Sequence, residues 1–230
     1  MSSDAQAGAD VAETGEAWRG EPLPRGRHKL SRERVLASQR ARLLSAMLTC
    51  VGERGYAATT VPEVVATARV SRNAFYALFE DKTDCFMAVC DELTAELLDA
   101  MYALADAPDW IEAVRRGMTL YLRWWQDRPA VARAYLVELP AAGAGAAQQR
   151  DRHLAGFRDL FATLAARARV EDPGLPSLAP LAPRLLVLGI NELVAEEVRA
   201  GRTSELDELH DDLVRHTVAL LADESTARKA

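Results

Sequence analysis

Residues Gly55 to Lys82 read Gly-Tyr-Ala-Ala-Thr-Thr-Val-Pro-Glu-Val-Val-Ala-Thr-Ala-Arg-Val-Ser-Arg-Asn-Ala-Phe-Tyr-Ala-Leu-Phe-Glu-Asp-Lys. Two short capped helices are expected here. In Thr60-Val61-Pro62-Glu63 the threonine can cap a free amide, Glu63 can reach back to it, and the proline occupies the first turn. Val64 and Val65 add apolar bulk, Ala66 and Ala68 permit close helix approach, and Ser71 offers a second N-cap. Only a tight turn fits between the two helices. This is the layout of a helix-turn-helix, whose second helix enters the major groove of DNA.

In that second helix Phe75, Leu78 and Phe79 share one side at spacings of three and four, while Arg72, Asn73 and Tyr76 fall opposite. The apolar side must pack and the other is free to meet a ligand. Arginine can bridge guanine, asparagine can bridge adenine, and a tyrosine hydroxyl can donate to phosphate. The same residue types also make an ordinary polar helix surface. Upstream, Leu43, Leu44, Met47, Leu48 and Val51 form a helical apolar stripe that stops at Arg54-Gly55, with glycine where a helix C-terminus favours it. A third helix therefore braces the pair.

Through Glu53-Arg54-Gly55-Tyr56, Thr59-Thr60-Val61, Val70-Ser71, Phe75-Tyr76 and Phe79-Glu80-Asp81-Lys82 the chain resembles the tetracycline-repressor-like (TetR) family of bacterial transcription regulators. The resemblance implies an all-α protein. Its parts would be a three-helix N-terminal helix-turn-helix DNA-binding domain and a larger helical bundle for effector binding and dimerisation. It also implies that Thr59 and Thr60 approach phosphate, that Arg72 and Asn73 face base edges behind the Ser71 cap, and that Tyr76 and Lys82 grip the backbone. Two positions depart from the family pattern. Arg69 stands where glycine is usual, and a left-handed backbone there would cost about 1 kcal/mol. Leu78 replaces a common phosphate-contacting histidine.

Charge points the same way. Residues 25–82 carry eleven Lys or Arg and five Asp or Glu, a net of +6, inside a chain of net charge −6. A basic segment on an acidic body is a localised footprint for a polyanion. Arg25, Arg27, Lys29, Arg32 and Arg34, with His28 and Leu30 among them, form a basic arm. Arg27 and Lys29 are candidates for phosphate or minor-groove contact, although charge runs are often only solvated. Residues 1–24, rich in Ala, Gly, Ser and acid, are expected to be disordered. The expected organisation is thus a tail over 1–24, a DNA-binding domain over 25–82 and a helical ligand-binding and dimerisation domain over 83–225.

No apolar run reaches membrane-spanning length and the N-terminus lacks a hydrophobic signal, so a cytoplasmic protein without a membrane partner is expected. Cys50, Cys85 and Cys90 have no metal-ligand spacing, and an odd number argues against a disulfide framework. No metal or cofactor is expected. An all-helical enzyme would need a nucleophile with its base, paired carboxylates or a metal cluster, and none is legible; Glu192, beside Asn191 in an apolar helix, is the one suspicious carboxylate.

Beyond Lys82 the period stays near 3.6. Phe86, Val89, Leu93, Leu97, Met101 and Leu104 lie on a long helix capped by Asp81, a candidate for transmitting change between domains. A second helix spans about 109–127, the segment 130–139 is apolar nearly all round, and 140–147 is an Ala/Gly-rich connection. Met118, Tyr121, Trp124, Trp125, Phe157 and Phe161 are candidate ligand-wall residues, and equally good core. Two last amphipathic helices are expected at about 185–199 and 204–223. By the resemblance, their residues Leu186, Gly189, Ile190, Leu193, Leu209 and Leu213 form a dimer interface. The expected function is a dimeric regulator on a pseudo-palindromic DNA operator, repressing until a small-molecule effector binds. An effector-free nucleic-acid scaffold is the alternative, and an enzyme a more distant one.

Overall fold

The computed structural model describes residues 32–222. The tail over 1–24 and the arm residues Arg27 and Lys29 lie outside the described residues. Every regular element among the described residues is helical, and the chain divides into two compact units after Glu96. That division falls inside a helix, fourteen residues past Lys82.

The first unit contains α1 (Arg32–Arg54), α2 (Val61–Ala68), α3 (Arg72–Tyr76) and the start of α4 (Lys82–Tyr102). Leu43, Leu44, Met47, Leu48 and Val51 are all buried, so the stripe on α1 is the unit's core face. Gly55, at φ 83°, ends α1 in the left-handed region that glycine enters without strain. Tyr56 stacks on Phe86 with ring centroids 5.2 Å apart, tying the turn after α1 to α4. The cap of α4 is Asp81, whose Oδ1 accepts the Asp84 N–H at 2.9 Å.

The second unit holds the rest of α4, a 3-10 turn at Ala103–Asp106, α5 (Trp110–Gln126), α6 (Pro129–Ala132), a π-helical segment Arg133–Glu138, α7 (Leu139–Ala141), α8 (Ala144–Glu171), α9 (Ala182–Arg199), a 3-10 segment Thr203–Leu209 and α10 (His210–Ala222). Asp109 caps α5 by accepting the Glu112 N–H at 2.7 Å. Within 130–139, Val131, Ala132, Ala134, Tyr135, Leu136 and Leu139 are buried, which accounts for the apolar run. The connection expected over 140–147 shrinks to Ala142 and Gly143, because alanine favours helix and Gly143 alone, at φ 108°, breaks it. The last α-helix starts at His210, after the 3-10 segment, instead of at 204.

Candidate nucleic-acid interface and ligand cavity

The turn of the helix-turn-helix is built around Arg69, which adopts φ 53° and ψ 46°, the only positive φ of a non-glycine residue among the described residues. Its N–H donates to Ala66 O at 3.2 Å and that of Val70 to Val65 O at 3.0 Å, a Schellman closure of α2. The Arg42 guanidinium reaches over from α1 and donates to the carbonyls of Arg69 at 3.3 Å and Ala68 at 3.4 Å. A cation thus sits on the negative end of α2. At the other end, Glu63 accepts both the backbone N–H and the hydroxyl of Thr60 at 2.9 Å and pairs with Arg54 at 2.5 Å. The Thr60 hydroxyl, then its N–H, then Arg54 hold the Glu63 carboxyl below its ordinary pKa.

Ser71 Oγ accepts the Ala74 N–H at 3.1 Å and starts α3. Phe75 and Phe79 are buried, their centroids 5.6 Å apart, and Leu78 is half-buried. Arg72, Asn73 and Tyr76 are exposed, and the Arg72 guanidinium lies 5.6 Å from the Tyr76 ring centroid. Thr60 and Ser71 are exposed as well. This is one polar face presented by a helix whose backbone is fixed at its start.

Two residues expected at phosphate are engaged inside the unit. Thr59 is 1% exposed and its hydroxyl donates to Gly55 O at 2.9 Å, so it is a structural residue of the turn. Lys82 Nζ donates to the carbonyls of Tyr56 at 2.9 Å and Thr59 at 2.9 Å, with Ala57 at 3.4 Å, and stands 4.4 Å from the Tyr56 ring centroid. An ammonium has three protons. All three have acceptors within the unit, so in this structure Lys82 staples the turn after α1 to the start of α4.

The second unit holds a partly open cavity of about 130 Å³. Met118, Tyr121 and Trp125 line it from α5 at spacings of three and four, and Phe157 and Phe161 line it from α8. Trp124 does not. One residue before Trp125, it points elsewhere, is buried, and has the Arg128 guanidinium 4.3 Å from its ring centroid. The wall also takes Met101 and Tyr102 from α4, Tyr135 from the π-helical segment, and Ile190 and Asn191 from α9. Tyr135 stacks on Trp125 at 5.2 Å between centroids and hydrogen-bonds to His153 Nδ1 at 3.1 Å. Burial pushes the Tyr121 phenol up to about 12. Asn191 is 6% exposed, and its Nδ2 has no hydrogen-bond partner. Glu192, its suspicious neighbour, is exposed and paired with Arg199, which leaves no carboxylate facing the cavity from α9.

The dimer residues read from sequence separate into two sets. Leu186, Ile190 and Leu213 are buried within the unit and Leu209 is half-buried, whereas Gly189 and Leu193 are exposed. Helix α9 has apolar residues on two faces, and its inner face takes Leu186 and Ile190. Its outer side carries Leu185, Leu188 and Leu193, at 57%, 39% and 46% exposure, with Leu181 just ahead of the helix at 61%.

The decisive comparison concerns the first unit: residues 43–89 match the family model for bacterial regulatory proteins of the tetR family. Over that stretch the helix-turn-helix is similar to that of the tetR family. Solved tetR-like structures extend the likeness to most of the chain. The fatty acid degradation regulator FadR from Bacillus halodurans is 18% identical, with a TM-score of 0.69, covering 80% of this chain and 98% of that one. The transcriptional regulator FadR from Bacillus subtilis, in complex with stearoyl-CoA, is 15% identical with a TM-score of 0.70, covering 78% and 97%. The tetR-family regulator PfmR from Thermus thermophilus is 24% identical with a TM-score of 0.56, covering 76% and 95%. No curated protein matches the sequence. The chain thus has a tetR-like fold, a helix-turn-helix unit followed by a larger helical one. No helix among the described residues is long and apolar enough to cross a membrane, and no group of His, Cys, Asp or Glu there is arranged to hold a metal ion.

Proposed function

We propose that this protein is a dimeric transcriptional regulator that binds a pseudo-palindromic DNA operator in the cytoplasm, represses from it, and releases it when a small apolar effector fills the cavity of the second unit. The observation that carries this reading is the exposed Arg72, Asn73 and Tyr76 face on a helix whose start is fixed by Ser71 and whose turn is fixed by Arg69 and Arg42. Base edges reward such side chains with bidentate hydrogen bonds only when the helix is held rigidly.

Two further features support the same reading. The outer leucines of α9 flank Gly189, where an added Cβ would meet nothing within 4 Å. A mid-helix glycine costs about 1 kcal/mol relative to alanine and is unneeded by the chain's own packing, but it would let a second copy's helix approach closely. Each leucine that such a contact covers contributes roughly 1.5–3 kcal/mol when fully buried. A two-fold dimer presents two reading helices to half-sites about one DNA turn apart. The cavity wall is overwhelmingly apolar, and Bacillus subtilis FadR, which has the same fold, is in complex with stearoyl-CoA. Helix α4 contributes Lys82 to the first unit and Met101 and Tyr102 to the cavity. An effector acts only by binding the DNA-free state more tightly than the DNA-bound one.

Selection of bound duplexes from a random pool, at near-physiological salt with excess competitor DNA, tests the reading. An enriched inverted repeat is the expected result. Retained binding without enrichment would instead make the protein a nucleic-acid scaffold.

A further inference from the structure

The cavity is apolar on nearly every side, so the few polar atoms on its wall decide what else a ligand can carry. Arg167 is committed: its guanidinium donates to Glu171 Oε1 at 2.6 Å and to Ala107 O at 2.5 Å. Thr163 donates its hydroxyl to Asp159 O at 2.9 Å. The Trp125 Nε1–H lies near the Tyr121 hydroxyl but closes no hydrogen bond, and so is one unpartnered donor on the wall. Asn191 is the second. It lies 94% out of solvent, on the wall, with an amide nitrogen that meets no acceptor in the protein. Trp124 Nε1 and Thr217 Oγ1 are also without partners, but neither residue lines the cavity.

A buried amide without a partner costs roughly 1–3 kcal/mol. It sits in α9 among Val187, Ile190 and Val194, where an aliphatic side chain would fit the surroundings without that cost. We infer that Asn191 is a specificity residue of the cavity, its amide N–H donating to an uncharged oxygen acceptor, a ketone or ester carbonyl, on an otherwise aliphatic ligand. This deepens the effector reading above and rests on it. A carboxylate fits poorly, because burying it requires a cation and the guanidinium on this wall already has a carboxylate partner. The free volume of about 130 Å³ is close to the roughly 150 Å³ of an apolar cavity that holds benzene. The buried part of the ligand is therefore short unless Met101 or Met118, flexible side chains on the wall, swing aside.

Three probes of matched length separate the possibilities: methyl pentyl ketone, heptane and heptanoate, titrated against the full chain with intrinsic tryptophan fluorescence as the signal. Ketone and alkane differ in hydration, so the informative quantity is the ratio of their dissociation constants, compared between the native protein and Asn191→Leu. The expected result is a ratio that shifts against the ketone by about fivefold to tenfold in the variant, with alkane binding retained and heptanoate the weakest ligand of the native protein. Asn191→Ala should shift the ratio in the same direction, which keeps the test intact if leucine disturbs folding. An unchanged ratio in both variants would overturn the role of Asn191 while leaving the cavity as an effector site. Heptanoate binding tightest would overturn the uncharged class. If none of the three bound at all, the effector reading itself would fall, and this inference with it.

Discussion

The ammonium of Lys82 lies 4.4 Å from the centroid of the Tyr56 ring and 2.9 Å from the same residue's carbonyl oxygen. One side chain thereby closes the turn after α1 onto the start of α4. Replacing Lys82 with methionine keeps the stem and removes three hydrogen bonds and a cation–π contact, and should destabilise the protein by about 1–3 kcal/mol. The salt dependence of DNA binding should keep its slope, since no phosphate contact is lost. A lowered slope with an unchanged melting temperature would return Lys82 to the DNA backbone.

Arg69→Gly should stabilise the protein by about 0.5–1 kcal/mol. Glycine takes φ 53° without the Cβ penalty, and the gain is reduced by its freer unfolded chain. Chemical denaturation reads this directly. A fall in stability would mean that the Arg69 side chain, exposed as it is, contributes more than its backbone costs.

Arg72→Ala and Asn73→Ala should each keep stability within about 0.5 kcal/mol of the native protein, since both side chains are exposed. Each should relax base preference at its own position of the selected site by about 1–3 kcal/mol. Equal losses on every sequence would assign both residues to phosphate.

Leu185→Arg changes a residue that is 57% exposed in the single chain. It should leave helix content unchanged and shift sedimentation from dimer to monomer, with operator affinity falling alongside. Gly189→Ala separates the two levels further: alanine adds about 1 kcal/mol of helix propensity yet should weaken the dimer by crowding the helix–helix contact. A dimer untouched by both changes would place the interface elsewhere.

Burial pushes the Cys85 thiol up to about 12 and the Cys90 thiol well above its ordinary range, and Cys50 is buried as well. Thiolate is the species that alkylates. Iodoacetamide at pH 8 should leave all three unmodified in the native protein and label them once denatured, as counted by mass spectrometry. The raised pKa of Cys85 also has a sign for stability: its contribution is complete below the unfolded thiol pKa near 9 and is lost as pH climbs towards 12.

What is legible in the sequence of this molecule is mostly local. The α1 stripe, the Ser71 and Asp81 caps and the left-handed Arg69 each depend on neighbours within about a turn of helix, where spacing dictates contact. The structural role of Lys82 is not legible because its acceptors are carbonyls 23 to 26 residues away, and a carbonyl carries no side-chain signature. The packing of Leu186 and Ile190 is not legible for a different reason. Both faces of α9 are apolar, and periodicity reveals a face without revealing what covers it. In the polar pair Asn191-Glu192 the sequence draws the eye to the carboxylate, yet the carboxylate goes to solvent and Arg199 while the amide goes inside.

The π-helical segment Arg133–Glu138 separates the short helices α6 and α7 and carries Tyr135 to the cavity wall. A wider turn of this kind accommodates one residue beyond the α-helical count. Loss of a single codon there would let the backbone relax to regular α geometry while the helices on either side keep nearly their present register, so the change would be felt in the wide turn itself. A lineage could therefore re-aim Tyr135 on the cavity wall while the rest of the wall stays in place.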